Sequence, residues 1–193
     1  RGDIHTRAKE SKNASELLGV QNRVNLQLKD GFLTSSEASI KLIIEQIRKF
    51  KPEIVFANAI KDRHPDHSKA AKLVADACYL SGLKKVSTKW EGSEQKEHRP
   101  RLVLHYIQDY YIKPDIVIDV SDFVENKIEV IKSFRTQFFD PNSTEPETPI
   151  SKEDFFDFIK GRMKQIGRPV NYAYAEGFTI NRLMGVKDLF QLD

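Results

Sequence analysis

The stretch 58-NAIKDRHPDHSKAAK-72 crowds two histidines, an aspartate and an arginine into the five residues RHPDH. Imidazole is the commonest side-chain ligand for zinc, and carboxylates complete many catalytic zinc sites. A histidine that is not a ligand can instead stabilise an oxyanion or protonate a leaving group when a carboxylate holds it as imidazolium. His64 and His67 are three apart, so helical or turn geometry aims both rings into one crevice. Asp66 is close enough to orient one ring, and Asp62 and Arg63 stand beside them. A polar loop that merely contains two histidines fits the same letters, so both readings stay open on spacing alone. One histidine also does not make a zinc site; further ligands must come from elsewhere.

The flanking elements say where such a site would sit. The run 53-EIVFANA-59 is continuously apolar, as expected of a strand buried on both faces. A helix from about Asp66 to Leu80 follows, with Ala70, Leu73, Val74, Ala77 and Cys78 on its apolar side, and Pro65 suits a first helical turn. The loop between them therefore lies at the carboxyl edge of the sheet, where open α/β folds bind ligands. Upstream, Thr6–Leu18 reads as a helix stopped by Gly19, 24–28 as a short alternating strand, and Ser35–Phe50 as an amphipathic helix ended before Pro52. Downstream, 84–100 reads as loop, and 101–107 and 115–120 as strands. Ser121, Asp122 and Glu125 resemble a capping box opening a helix to Phe138. The acidic, proline-containing 140–150 reads as a surface loop. A helix over 152–164, a strand over 170–180 and a short turn at 186–190 complete the chain. Alternating helices and strands predict an α/β fold, a three-layer Rossmann-like sandwich with a mostly parallel sheet.

Composition narrows the classes. The 193 residues are 39% hydrophobic and 31% charged, enough for one domain with a real core, and no linker divides them. The 31 basic and 28 acidic residues are interspersed, which argues against a nucleic-acid partner. No apolar run reaches a membrane span and no signal peptide is evident, and the single cysteine, Cys78, cannot form an internal disulfide; a cytoplasmic location is expected. The chain opens Arg1-Gly2-Asp3 with no strand-like run before its first helix, so residues upstream are expected in the natural protein. The tripeptide itself reads as chance rather than an adhesion motif. No G-x-G-x-x-G or P-loop is present, which argues against nucleotide binding.

The string RHPDHSKAAKLVADA resembles the second motif of the zinc-dependent de-N-acetylases of the LmbE/PIG-L family. The segment 98-HRPRLVLHYIQDYYIKPDIVIDVSD-122 resembles that family's following strands, and TRAKE, KSFRTQF and YAEGF are similar to further segments in the same order. The resemblance covers nearly the whole chain and is closest to members that deacetylate N-acetylglucosaminyl malate in bacillithiol biosynthesis. It implies Zn2+ as cofactor, with His67 as a metal ligand, His64 as the oxyanion-stabilising or acid histidine, and Asp66 as its orienting carboxylate. It also implies that Arg7 assists substrate or intermediate binding. Arg63, Arg7 and Arg99 are candidates for the substrate's carboxylates. The family's remaining His and Asp ligands and its general base come from an A-H-P-D-D motif that this sequence does not contain. The resemblance therefore implies a single de-N-acetylase domain lacking its first strand and half its metal site, active provided the upstream segment exists. A homo-oligomer is the expected assembly. The alternatives are a de-N-acetylase of another N-acetylglucosamine conjugate, or a non-catalytic sugar-binding module.

Other residues have plainer readings. His98 reads as a surface residue and His105 as a packed strand histidine. Gln137, Tyr172, Tyr174 and Glu176 divide between fold and active-site mouth. Phe155, Phe156 and Phe158 read as helix packing, and Cys78 as a small core residue.

Overall fold

A computed structural model describes residues 2–191, so Arg1, where the Arg-Gly-Asp reading begins, lies outside the described residues. The helices are α1 (Ile4–Leu17), α2 (Glu37–Phe50), α3 (Pro65–Leu80), α4 (Val124–Lys132) and α5 (Phe155–Gly167). The strands are β1 (Ile54–Ala57), β2 (Lys89–Trp90), β3 (Ser93–Glu94), β4 (Leu102–Tyr106), β5 (Ile116–Asp119) and β6 (Ala175–Thr179). Although the sequence shows no linker, the chain clusters into two compact units, Arg1–Asn25 with Ile118–Glu176 and Leu26–Val117 with Gly177–Asp193.

The second unit carries the RHPDH loop. Its strands belong to a sheet of order β1-β4-β6-β5. β1 and β4 run parallel, pairing Val55 with Val103 and Ala57 with His105, while β4 and β6 run antiparallel, pairing His105 with Thr179. The α/β architecture is the expected one, with a central sheet flanked by helices; its pairing is mixed, because apolar runs reveal strands but not their direction. α2 and α3 pack on the sheet through Ile44, Ile47, Ala77 and Cys78, with Val55 and Val103 against them. Alternation along β4 sends Leu102 and Leu104 the other way, onto Phe178. Each such aliphatic side chain contributes on the order of 2 kcal/mol when buried.

Helix α2 starts at Ser36, whose Oγ accepts the Ser39 N–H at 3.1 Å, and stops at Lys51, which takes a left-handed φ of 48° just before Pro52. Behind the far end of α3, Arg48 is buried and donates to the carbonyls of Ser81, Leu83 and Val86 and to Thr88 Oγ1. A buried guanidinium satisfied by four acceptors closes that turn, and nothing in the helical pattern of 35–50 distinguished it from a solvent-facing arginine.

Several expectations change. Among the described residues β1 is the outermost strand; Val55 packs against α2 and α3, while Ile54 and Phe56, on the opposite face, are exposed instead of buried. No strand forms over 24–28; Gln27 sits at φ 54°, which breaks an extended run, and Val24 is exposed. Residues 84–100 contain the small antiparallel ribbon β2–β3, turned at Glu91 and Gly92, both at positive φ. The capping box is not made: Ser121 Oγ donates to Asp119 Oδ1 at 2.6 Å, residues 121–123 form a 3-10 turn, and α4 ends at Lys132 instead of Phe138.

In the first unit α1 is capped by Asp3, whose Oδ1 accepts the N–H groups of His5 and Thr6 at 2.8 and 3.0 Å. Gly19 follows α1 at φ +65°, the left-handed stop the sequence predicted. α4 packs on α1, and α5 supplies Met163 and Ile166 to that unit's core.

Candidate active site

β1 ends at Ala57, and the chain then crosses 58–64 before α3 begins. His64 is the N-cap of α3, with Pro65 in the first turn, where a missing N–H costs nothing. The His64 ring acts as the capping group: its Nδ1 accepts the Asp66 N–H at 3.2 Å. That bond needs a lone pair on Nδ1, so the ring proton is assigned to Nε2. One turn on, His67 directs Nδ1 at the Asp62 carboxylate. An ionised carboxylate only accepts, so His67 carries a proton on Nδ1 and, as the neutral ring, presents a lone pair at Nε2. The two ring centroids are 5.2 Å apart. Neighbouring imidazoles thus offer opposite functions at Nε2, a donor from His64 and an acceptor from His67.

Asp62 is held firmly for this task. Its side chain is fully buried, and its Oδ1 accepts the N–H groups of Asp109 and Tyr110 at 2.9 and 2.8 Å. Burial pushes its carboxyl up, but the bonds from His67 and from the Tyr110 and Arg63 N–H groups outweigh this and leave it below the usual aspartate value. The Asp109 and Tyr110 amides belong to the loop leaving β4, the strand parallel to β1. The same loop is pinned again by Gln108 Oε1, which accepts from Asn58 Nδ2 at 3.2 Å and Ala59 N–H at 3.1 Å. Beneath it, buried His105 contacts the Asn58 carbonyl through Nδ1 at 2.9 Å, as a packed strand histidine would. Two loops at the carboxyl ends of a parallel pair therefore interlock around one carboxylate.

The other candidate residues are placed as follows. Asp66 meets His64 through its N–H and not through its carboxylate. The carboxylate is spent on the Leu33 N–H at 3.3 Å and Lys69 Nζ at 3.5 Å; burial raises it, and the Gly31 and Leu33 amides with Lys69 lower it further. Arg63 stays at the site's rim, its Nε 2.9 Å from Asp109 Oδ2, with both side chains partly exposed. Arg99 does not join them. It stacks at 4.5 Å on Tyr79 and donates to the Tyr79 carbonyl at 3.0 Å, roughly 18 Å along α3 from His67. Arg7 belongs to the first unit, where Nη1 meets Glu10 Oε2 at 3.3 Å and the guanidinium lies 5.4 Å from the Phe134 ring centre. His98 binds the Pro52 carbonyl at 2.8 Å, and Glu176 pairs with Lys127. Cys78 is buried in apolar surroundings, its thiol pushed up to about 11.

Gln108, Asp109 and Tyr110 are the site residues that sequence reasoning missed, and Asp62, noted beside the histidines, was given no role there. The signal for Asp62 was present in D-R-H-P-D-H, a carboxylate before a loop that returns on itself. Its partner amides lie 47 and 48 residues away and carry no side-chain signature.

A histidine oriented by a buried carboxylate, with Nε2 left as acceptor, is the donor type that fits a zinc ion. Among the described residues no group of three or more His, Cys, Asp or Glu converges to close a metal site around it.

Residues 1–78 match the family model for GlcNAc-PI de-N-acetylase, PIG-L. The diacetylchitobiose deacetylase of Thermococcus kodakarensis is 27% identical over 178 residues, covering 89% of this chain. The chain spans 61% of that relative's length. Among solved structures, a conserved protein of Thermus thermophilus superposes with a TM-score of 0.82 at 26% identity, covering 97% of this chain and 78% of that one. Residues 1–78 resemble the PIG-L family model, and the chain has the LmbE-like α/β fold of its structural neighbours. The N,N'-diacetylchitobiose deacetylase of Pyrococcus horikoshii, solved with an inhibitor, has a TM-score of 0.74 at 24% identity, covering 91% and 63% of the two chains. A Pseudomonas putida 4-carboxy-2-hydroxymuconate hydratase reaches the same TM-score at 19% identity over 96% of this chain and 75% of its own. The PIG-L/LmbE-like fold is thus shared with a different chemistry, and function must be argued from the site.

Proposed function

We propose that this PIG-L/LmbE-like chain is a zinc-dependent de-N-acetylase that hydrolyses N-acetylglucosaminyl malate to acetate and the free amine. The observation that carries the reading is the pair of complementary imidazoles, His67 presenting a lone pair and His64 a donor from adjacent turns. His67 Nε2 would hold the metal, with Asp62 fixing the ring. When bound, zinc supplies Lewis-acid polarisation of the acetyl carbonyl and an activated water. His64 Nε2–H donates to the carbonyl oxygen as it gains charge, so its bond strengthens towards the transition state. With Nδ1 occupied by the Asp66 N–H, a neutral His64 has no second proton to give, so its role is donation to the oxyanion and the departing nitrogen takes its proton from another group or from water. Capping of α3 fixes the ring in advance, because turning it would unmake the bond to the Asp66 N–H. Arg7 is assigned to substrate or the developing anion, and Arg63 to a substrate carboxylate.

A second reading, a neutral N-acetylglucosamine conjugate, is favoured by one observation: Asp109 already neutralises Arg63. The two named deacetylase relatives act on diacetylchitobiose. Acetate release from N-acetylglucosaminyl malate, N,N'-diacetylchitobiose and free N-acetylglucosamine decides between them. The malate conjugate is expected to give the highest kcat/KM. Preference for diacetylchitobiose would establish the second reading, and release from none of the three would end the deacetylase proposal.

A further inference from the structure

Two segments singled out by the sequence, TRAKE and KSFRTQF, meet in one device in the first unit. Glu10 lies on α1 with only 6% of its surface exposed. Its Oε1 accepts the Thr136 N–H at 2.7 Å. Its Oε2 accepts Thr136 Oγ1–H at 2.7 Å and Arg7 Nη1–H at 3.3 Å. The Arg7 guanidinium also lies against Phe134, two residues before Thr136. Carboxylate and ring both therefore come from residues joined through Thr136. The chain start fits closely there too: a Cβ on Gly2, at φ +71°, would fall 2.6 Å from Thr136 Oγ1.

A buried carboxylate needs partners for both oxygens, and here every named donor serves one geometry. The contacts run in series, from the 134–137 turn through Thr136 to Glu10 and from Glu10 to Arg7. An arginine left to itself samples many rotamers, and ordering it during reaction costs entropy. Held between a charged oxygen and an aromatic face, it keeps one orientation while its remaining N–H groups retain their donor capacity.

We propose that Glu10 is the positioning residue for Arg7, locking the guanidinium to the 134–137 turn so that it meets the substrate or developing anion already oriented. This rests on Arg7 acting on the substrate, as proposed above. Zinc-loaded wild type, Glu10→Gln, Arg7→Ala and the double variant are compared for acetate release, with kcat and KM resolved and melting temperatures measured on the same samples. Glutamine keeps the length and an acceptor for Thr136 but removes the charge facing Arg7. Glu10→Gln is expected to lower kcat/KM about tenfold, the scale of a misplaced catalytic partner, with little change in melting temperature. In the Arg7→Ala background the same substitution is expected to cost nothing further. Thr136→Val, which drops only the hydroxyl, is expected to show a smaller loss of the same kind. Equal losses in both backgrounds, a loss that tracks melting temperature, or no loss overturns the proposal. Wild type that releases no acetate overturns the deacetylase reading and this proposal with it, and the wild-type control alone tells that failure from the others.

Discussion

Asp62 and Glu10 are both inward carboxylates that steer a nitrogen side chain close by in sequence, yet they solve different problems. Asp62 meets a ring with two nitrogens, so taking one decides the chemistry of the other: Nδ1 donates and Nε2 is left as a lone pair. Glu10 meets a guanidinium, whose N–H groups are all donors and whose charge does not change; only its direction can be set. Their anchors differ accordingly. Asp62 is fixed by two backbone amides that cannot rotate away, whereas Glu10 has one, the Thr136 N–H on Oε1, and shares its other oxygen between Arg7 and the rotatable hydroxyl of Thr136. A tautomer demands the stiffer support. An orientation tolerates the softer one.

The largest effect is expected where the ring itself is removed. His67→Ala is predicted to abolish stoichiometric zinc binding, measured by metal analysis after dialysis, and to reduce acetate release by about a thousandfold or more, on the order expected for loss of the metal's contribution. His64→Gln, in contrast, retains zinc and loses roughly a hundredfold in kcat, because only a donor to the oxyanion is changed. Zinc retained at full stoichiometry in His67→Ala refutes the ligand assignment. Metal lost equally in both variants would mean that the two rings do not divide donor from acceptor.

Asp62→Asn tests the support. An asparagine that turns its carboxamide oxygen towards His67 offers its nitrogen to the Asp109 and Tyr110 amides, which are themselves donors; one contact must fail. Zinc affinity is expected to fall about ten- to a hundredfold, read by competition with a chromophoric chelator. An unchanged affinity would show that the tautomer is set by something other than Asp62.

Legibility in the sequence followed the same physics. Elements with period or punctuation were readable: the Ile-rich face of α2, Pro65 opening α3, and Gly19 closing α1. The pair His64 and His67 was readable because helical spacing alone brings residues three apart to one side. What was hidden depended on pairing across distance. Whether 53–59 was central or at an edge turned on sheet order, which its own letters do not encode. The helix drawn to Phe138 stopped at Lys132 because the residues beyond it turn towards Glu10, 126 positions away from Thr136. Nearness in sequence and the family resemblance both point to Asp66 as the orienting carboxylate of one ring, and neither shows that Asp62 folds back onto His67. The N-cap geometry gives the nearer residue's N–H to His64 and leaves its carboxylate facing Leu33 and Lys69.

The smallest effect compares how acid acts on the two units. Asp62 and the α1 cap Asp3 both have carboxyl values lowered in the folded chain, Asp3 from 3.8 to about 2, by hydrogen bonds to the Thr6 side chain and to the Thr6 and His5 amides. A group depressed by folding binds its proton more readily when unfolded. Its stabilisation is therefore complete above the unfolded value and is lost as pH falls towards the folded one. The melting temperature is predicted to hold from about pH 7 to about pH 5 and to decline from there to about pH 2. Asp3 is an exposed cap open to solvent screening, whereas protonating Asp62 removes a buried acceptor of two amides and a ring. Most of the decline should therefore belong to Asp62, and an Asp62→Asn protein should start less stable at neutral pH and lose less on acidification. Asp3→Asn, still a competent cap, should follow the wild-type curve closely. If Asp62→Asn runs parallel to wild type through the acid range while Asp3→Asn flattens, the stiffer support lies in α1 and the comparison between the two carboxylates is reversed.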